Sequence, residues 1–276
     1  MTTSRDSHPT SGSEAPSHTQ GSTDEVSANI EMKILSKRIS LQLTVSPGMT
    51  NARELLPIAH GLTQMASDIA SSESEANGKP VSCRAGCGAC CRQLVPITQP
   101  EAHQLRALVG AMPQARQIEI QQRFDAALSR LQNVNMLEKL RSAELWIEIN
   151  PVEFAGEYFR LGIACPFLEN ESCSIHDARP MTCRSFSVTS PAENCRNPTP
   201  DNIVMLKHPL PRPLEAFGRA IVGAPEGTST PWVPLVLALD YARSVPEPIP
   251  EYTGPQLLRA VLEAMTGTEL PEHAQA

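Results

Sequence analysis

Four cysteines fall within nine residues, Cys83-Arg-Ala-Gly-Cys87-Gly-Ala-Cys90-Cys91, and four more follow at Cys165, Cys173, Cys183 and Cys195. This pattern constrains the chain more than any other feature. A thiolate is a soft, strongly binding ligand, and thiols on short spacers can wrap one ion or one iron–sulfur cluster. Gly86 and Gly88 flank Cys87, and alanines stand at 85 and 89. Such small residues let the backbone curl tightly, turn several sulfurs inward and bring N–H groups to them. Arg84 and Arg92 bracket the group and offset the net negative charge that four thiolates leave on a divalent ion.

The second group runs Cys165-Pro-Phe-Leu, then Cys173-Ser-Ile-His176-Asp-Ala-Arg179-Pro180-Met-Thr-Cys183-Arg184-Ser-Phe186, with Cys195 following. Pro180 at a first helical position starts a short helix bearing Cys183 and Arg184. A lone buried cysteine is often a small hydrophobe, but clustered ones at these spacings read as a ligand loop. The eight sulfurs suffice for two four-sulfur sites or for one site with bystanders. Adjacent Cys90 and Cys91 are poorly placed to share one ion, so one binds while the other faces a second site or stays free. His176, three residues after Cys173, has a workable zinc spacing but reads as a helix-start or packing residue. Arginines beside thiols, here Arg179 and Arg184, lower thiol pKa and raise thiolate content, which keeps a redox switch in view.

The compartment decides how free thiols are read. Met1 to Val26 has no apolar stretch and a single basic residue, Arg5, so it is neither a secretory signal nor a transit peptide. The longest apolar run, Val233 to Leu239, is too short for a membrane span. A soluble, cytoplasmic protein is expected, in which thiols stay reduced and bind metal instead of forming a disulfide frame. Net charge is −7, and residues 81–200 hold 12 Arg plus Lys against 12 Asp plus Glu. No basic face is hidden there, so no nucleic-acid partner is expected, and no membrane partner either.

Low-complexity polar sequence over 1–28 reads as a disordered tail. Residues 29–80 form an N-terminal strand and helix with a linker. Ile39, Leu41, Leu43 and Val45 share one side of a strand, and Leu55, Ile58, Leu62, Met65 and Ile69 share one face of a helix over 51–70. A polar linker follows over 71–80. Residues 81–200 form the cysteine-cluster domain. Within it Thr98, with Pro100 and Glu101, makes the capping-box start of a helix. A second helix begins near Pro113 and buries Ile120, Phe124, Leu128 and Leu131. Asn135 caps a third, carrying Leu137, Leu140 and Leu145. Residues 145–161, with Trp146, Phe154, Tyr158 and Phe159, fit no single pattern. Residues 201–276 form a helical C-terminal extension with helices over 214–222, 233–243 and 255–265; an unidentified protein partner is its expected ligand. The fold class is mainly α, an irregular cysteine-rich metal-binding core packed with helices, with one short N-terminal strand.

Cys-x-x-Cys-Cys with glycines, then Cys-Pro-Phe-Leu, then Cys-Ser-Ile-His-x-x-Arg-Pro-x-x-Cys-Arg-x-Phe resembles the YkgJ-type cysteine-cluster proteins over about residues 83–197. That family is described as a zinc- or iron-chelating domain with eight cysteines. The resemblance implies that Cys83, Cys87, Cys90, Cys91, Cys165, Cys173, Cys183 and Cys195 are all metal ligands. The first spacer here has three residues where the family usually has two, and His176 stands where Tyr is common. Flagellin lysine methylases carry a similar cluster and use an iron–sulfur centre in methyl transfer, which adds an enzyme alternative. Cys83, Cys87 and Cys90 also match the radical S-adenosylmethionine loop spacing, but the chain lacks the strand–helix alternation of a β/α barrel. Zinc, iron or an iron–sulfur cluster is therefore the expected cofactor, and no catalytic residue is assigned.

Overall fold

The structure is a computed structural model that describes residues 25–142 and 151–270. Leu145, Trp146 and nearly all of the expected tail lie outside those residues. The described chain is mainly α, with strands only in two-stranded antiparallel pairs. It therefore contains no β/α barrel among its described residues, and none of its described helices is long and apolar enough to cross a membrane.

The N-terminal strand is one half of a hairpin. Strand β1 (Val26–Ile34) pairs along its whole length with β2 (Lys37–Val45), from Val26↔Val45 to Ile34↔Lys37. The sequence hides the turn because it uses Leu35 in the left-handed region, at φ 51°, where glycine or asparagine is the usual signal. Helix α1 (Leu56–Ala76) follows a short turn of 3-10 helix that Asn51 caps through its side chain. It continues past the expected end at 70 through residues read as linker. There Ser71 and Ser72 donate their hydroxyls to the carbonyls of Ser67 and Asp68, one turn back, so these serines bond within the helix instead of breaking it. Its buried stripe is built on small residues, with Ala59, Ala66 and Ala70 beside Leu56 and Leu62, while Met65 is only half-buried.

Strand β3 (Pro96–Ile97) leads into α2 (Gln99–Gly110), which starts on the expected Thr98–Glu101 capping box. Helix α3 (Gln114–Asn133) buries Ile120, Phe124, Ala127 and Leu131. Asn135 does not cap the next helix. It adopts φ 56° and closes α3: its N–H reaches Gln132 O at 3.0 Å, and Met136 N–H reaches Leu131 O at 3.0 Å. These two bonds are the Schellman pattern, which asparagine can fill in place of glycine. Helix α4 (Leu137–Arg141) then starts from Met136.

Beyond the undescribed segment come α5 (Pro151–Arg160), the hairpin β4 (Leu168–Glu169) and β5 (Ser172–Cys173), and the short α6 (Met181–Ser185). Pro180 is the residue before α6, one place earlier than expected. The C-terminal helices are α7 (Pro213–Val222), α8 (Ala238–Ser244) and α9 (Gly254–Thr266). The apolar run expected as one helix from 233 to 243 begins instead as β6 (Val233–Pro234), which pairs with β3. A short buried apolar run fits strand and helix alike, and the available partner decides.

Two large cores result. The first gathers Ile97, Leu105, Ile120, Phe124, Leu131, Phe154, Phe167 and Ile175 with Val233 and Leu235–Leu239. The second gathers Ile30, Ile34, Leu55, Leu62, Ala66 and Met181 with Phe217, Leu258, Val261 and Leu262. A third, small cluster holds Ala89, Val188 and Cys195. Helix α6 lies at the seam: its Met181 is in the second core while Cys183 packs against the first.

Candidate metal centre

The residues that place each cysteine are local, but their partners are distant in sequence. The loop carrying Cys83 and Cys87 is tied down by Ser82, whose N–H reaches Val188 O at 2.9 Å. Gly86 adopts φ +82°, a turn that any side chain would strain, and its N–H reaches Ser172 Oγ at 3.2 Å. Cys90 and Cys91 sit on a 3-10 turn, Ala89–Arg92, closed by Cys91 N–H to Gly88 O at 3.1 Å. Gly88 is needed for a different reason: a Cβ there would stand 2.7 Å from Leu168 Cδ1 and 3.1 Å from the Glu171 Cα. The first cysteine loop thus packs directly on the β4–β5 hairpin that carries Cys173. The hairpin turn, Asn170 and Glu171, is left-handed at both residues, as a two-residue primed turn requires. Arg92 locks the contact by donating to both Glu171 carboxylate oxygens, at 3.0 and 2.6 Å, and to Gly88 O. Arg92, expected to face the thiols, is committed to that pair. Cys165 joins the same assembly through its N–H to Cys91 O at 2.7 Å.

Cys183 is held by a residue that the sequence marks only as a helix cap. Glu101 is 1% exposed. Its Oε2 accepts from Thr98 N–H at 2.8 Å and from the Thr98 hydroxyl, and its Oε1 accepts from the first N–H of α6, at Met181, at 2.7 Å. His60 Nε2 lies 3.0 Å from the same oxygen. Helix α1 supports α6 from the other side, where the Ser67 hydroxyl donates to Arg184 O at 2.9 Å. Cys195 lies on the turn Ala192–Arg196 and is buried against Ala89 and Val188.

All eight cysteines line one cavity of about 650 Å³, and none is in a disulfide. The walls also include Gln64, Ser67, Asp68 and Ser71 of α1, and Arg179 and Arg184. His176 also lines this cavity, with its side chain 63% exposed beside Asp177. Among the described residues no three His, Cys, Asp or Glu side chains are already set around a single ion position. The fold therefore collects the thiols in one space without presetting a coordination sphere.

The environment of Cys83, Cys90, Cys165, Cys173, Cys183 and Cys195 opposes bare thiolates. Burial pushes Cys165 up to about 12 and raises Cys183 well above the ordinary range. Burial likewise raises Cys83, Cys173 and Cys195. Cys90 is raised first by its hydrogen bond to Cys91 and then by burial. Arg179 pulls Cys90 and Cys173 downward, but weakly, and Arg184 spends its guanidinium on the carbonyls of Arg179 and Asp177. The expectation that neighbouring arginines make these thiols acidic is thus reversed: desolvation outweighs them. Such thiols surrender their protons readily only to a cation that replaces them. Arg179 adds a second sign of an anionic occupant. Its Nη2 donates to Gln64 Oε1 at 2.9 Å, while its Nε is buried with no hydrogen-bond partner among the described residues. An unpaired buried N–H is costly, and a metal–thiolate centre is an acceptor that would relieve it. Donor chemistry and charge both fit zinc or iron.

Sequence reading missed the polar wall of α1, the role of Glu101 toward α6, and the Gly88–hairpin contact. The α1 wall did leave a signal, since Gln64, Asp68 and Ser71 recur at helical spacing, but a polar face reads by default as solvated.

No curated protein and no solved structure matched the chain. One family model did, over residues 82–200: the CxxCxxCC model, described as "Putative zinc- or iron-chelating domain". Its span takes in every cysteine and both halves of the cavity lining that they supply. Residues 82–200, somewhat less than half of the chain, are thus similar to the CxxCxxCC family of domains.

Proposed function

We propose that this protein binds zinc or iron, the latter as ions or as an iron–sulfur cluster, with Cys83, Cys87, Cys90, Cys91, Cys165, Cys173, Cys183 and Cys195 as the ligands. The observation that carries this reading is the convergence of all eight unpaired cysteines, from segments more than a hundred residues apart, on one cavity. Bound metal supplies cross-linking and a counter-charge for thiolates that the site otherwise disfavours. The chain's own groups do the rest. Arg179 faces the centre with a free N–H, Glu101 holds the helix that presents Cys183, and Gly88 lets the two cysteine loops close on each other.

A free thiol switch is less well supported, because the raised thiol pKa values suppress the reactive thiolate. Methyl transfer at an iron–sulfur centre shares the same ligands and differs by its metal. The test is elemental analysis of protein purified without oxygen, together with its visible spectrum. The expected result is stoichiometric zinc with no colour, or iron with iron–sulfur absorption; protein that carries neither and takes up neither on reconstitution refutes the proposal. Removing the metal should also destabilise the fold. Structural zinc provides on the order of 10–16 kcal/mol of apparent binding energy. Even ~5 kcal/mol of this lost would lower Tm by about 10–20 °C at this chain length, measured by calorimetry before and after chelation.

A further inference from the structure

The eight thiols divide in two. Cys165, Cys173 and Cys183 pack against the first core. Cys87 and Cys195 pack instead in the separate small cluster with Ala89, Val188 and Phe186. Cys83 belongs on this second side, since its neighbour Ser82 is bonded to Val188. The 3-10 turn of Cys90 and Cys91 stands between the sets. On one side it packs on the turn that carries Cys195, with Ala89 buried in the small cluster. On the other it accepts the Cys165 N–H through Cys91 O.

Resting on the proposed metal-binding function, we infer that the cavity holds two metal centres. Cys83, Cys87 and Cys195 serve one, Cys165, Cys173 and Cys183 serve the other, and the Cys90–Cys91 pair gives one thiolate to each. The pair suits this division. At three residues per turn, successive side chains of a 3-10 helix diverge by about 120°, so neighbours point toward different places. Three thiols plus one complete a four-thiolate set on each side, the closed set of a structural zinc site. Space is ample: about 650 Å³ against roughly 30 Å³ for one water in the liquid. Each zinc ion taken up by four thiols forms four Zn–S bonds and releases four protons to solvent. The two centres together carry net negative charge, and Arg179 and Arg184 line the same walls.

The test uses the full chain, stripped of metal, reduced and loaded with zinc alone, and read by native mass spectrometry. The unsubstituted protein should hold two zinc ions. Cys83→Ser/Cys195→Ser should hold one, Cys165→Ser/Cys173→Ser should hold one, and the fourfold variant should hold none. Circular dichroism of each variant reports whether it has kept its helices, and the count on the unsubstituted protein does not depend on any variant folding. A saturated count of one zinc per chain overturns the two-centre assignment and leaves metal binding intact, as does loss of all zinc from either double variant that retains its helices. A count of zero in the unsubstituted protein overturns the underlying function as well. A second reading comes from alkylation mapping. The variant lacking Cys83 and Cys195, loaded with zinc, should protect Cys165, Cys173 and Cys183 while leaving Cys87 open to modification. Protection of Cys87 to the same degree would refute the division.

Discussion

A carboxylate survives deep burial only when both oxygens are occupied, and Glu101 meets that condition with acceptor bonds to Thr98, Met181 and His60. Because its oxygens face backbone N–H groups, an amide cannot replace it: one oxygen would become an NH₂ group pointing at a donor. Glu101→Gln is therefore expected to destabilise the protein by at least ~2 kcal/mol, read from urea unfolding, and to weaken metal retention because α6 carries Cys183. Gly88 is the other residue whose chemistry is set by closeness. Gly88→Ala drives its new methyl into Leu168 and the Glu171 backbone and should cost about 1–3 kcal/mol. It should also speed metal loss to a competing chelator, because the clash separates the two cysteine loops. Unchanged stability and unchanged metal loss in this variant would show that the loops do not pack as described. Half of each residue's role was visible in the sequence. Thr98 and Glu101 have capping-box spacing, and glycine beside Cys87 signals a tight path. The partners of Glu101 Oε1 are 80 residues (Met181) and 41 residues (His60) away, beyond any local pattern.

Among the elements, legibility followed length and the strength of local signals. Helices α2 and α3 were readable because caps and apolar stripes agree. Asn135 was assigned to the wrong helix end because asparagine suits both an N-cap and a left-handed C-terminal position. The first hairpin was half hidden by its turn. Leu35 is in the left-handed region and 45% exposed, so its side chain contributes little burial to set against the backbone cost. Leu35→Gly should stabilise the protein by about 0.5–1 kcal/mol, raising Tm by a few degrees in a thermal melt. A lowered Tm would mean that the Leu35 side chain does more than the turn costs. Helix α6 illustrates the opposite limit. Five residues do not form a helix alone, and this one stands because Pro180 starts it, Glu101 accepts its first N–H and Ser67 donates to its carbonyl.

For the molecule as a whole, the cavity is lined from the first core, from the small cluster around Cys195 and by the polar face of α1, so metal binding and folding are linked. Burial raises the thiol pKa values, which fixes the sign of the pH dependence. For Cys165 the folded value of about 12 stands above the ordinary 9.0. The protonated thiol's contribution is complete below about pH 9 and is lost as pH rises toward about 12. Metal-free protein should accordingly lose stability across that window in denaturant titrations. The metal-loaded protein, whose thiols have already given up their protons, should not. Metal affinity runs the other way, rising with pH by up to ~10-fold per unit for each proton displaced; competition titrations at several pH values measure it. The sequence by itself determined the ligand chemistry, the family resemblance, the mainly helical class and the start of α2, because spacing, glycines and caps act over a few residues. Only the tertiary structure decided that Val233 to Leu239 completes the core of the cysteine region, that α1 walls the cavity, and that Cys165, Cys173 and Cys183 pack against one apolar cluster while Cys87 and Cys195 pack in another. Those outcomes depend on which apolar surfaces found each other. Hydrophobic burial rewards area without regard to sequence distance, so no local pattern records its choice of partner.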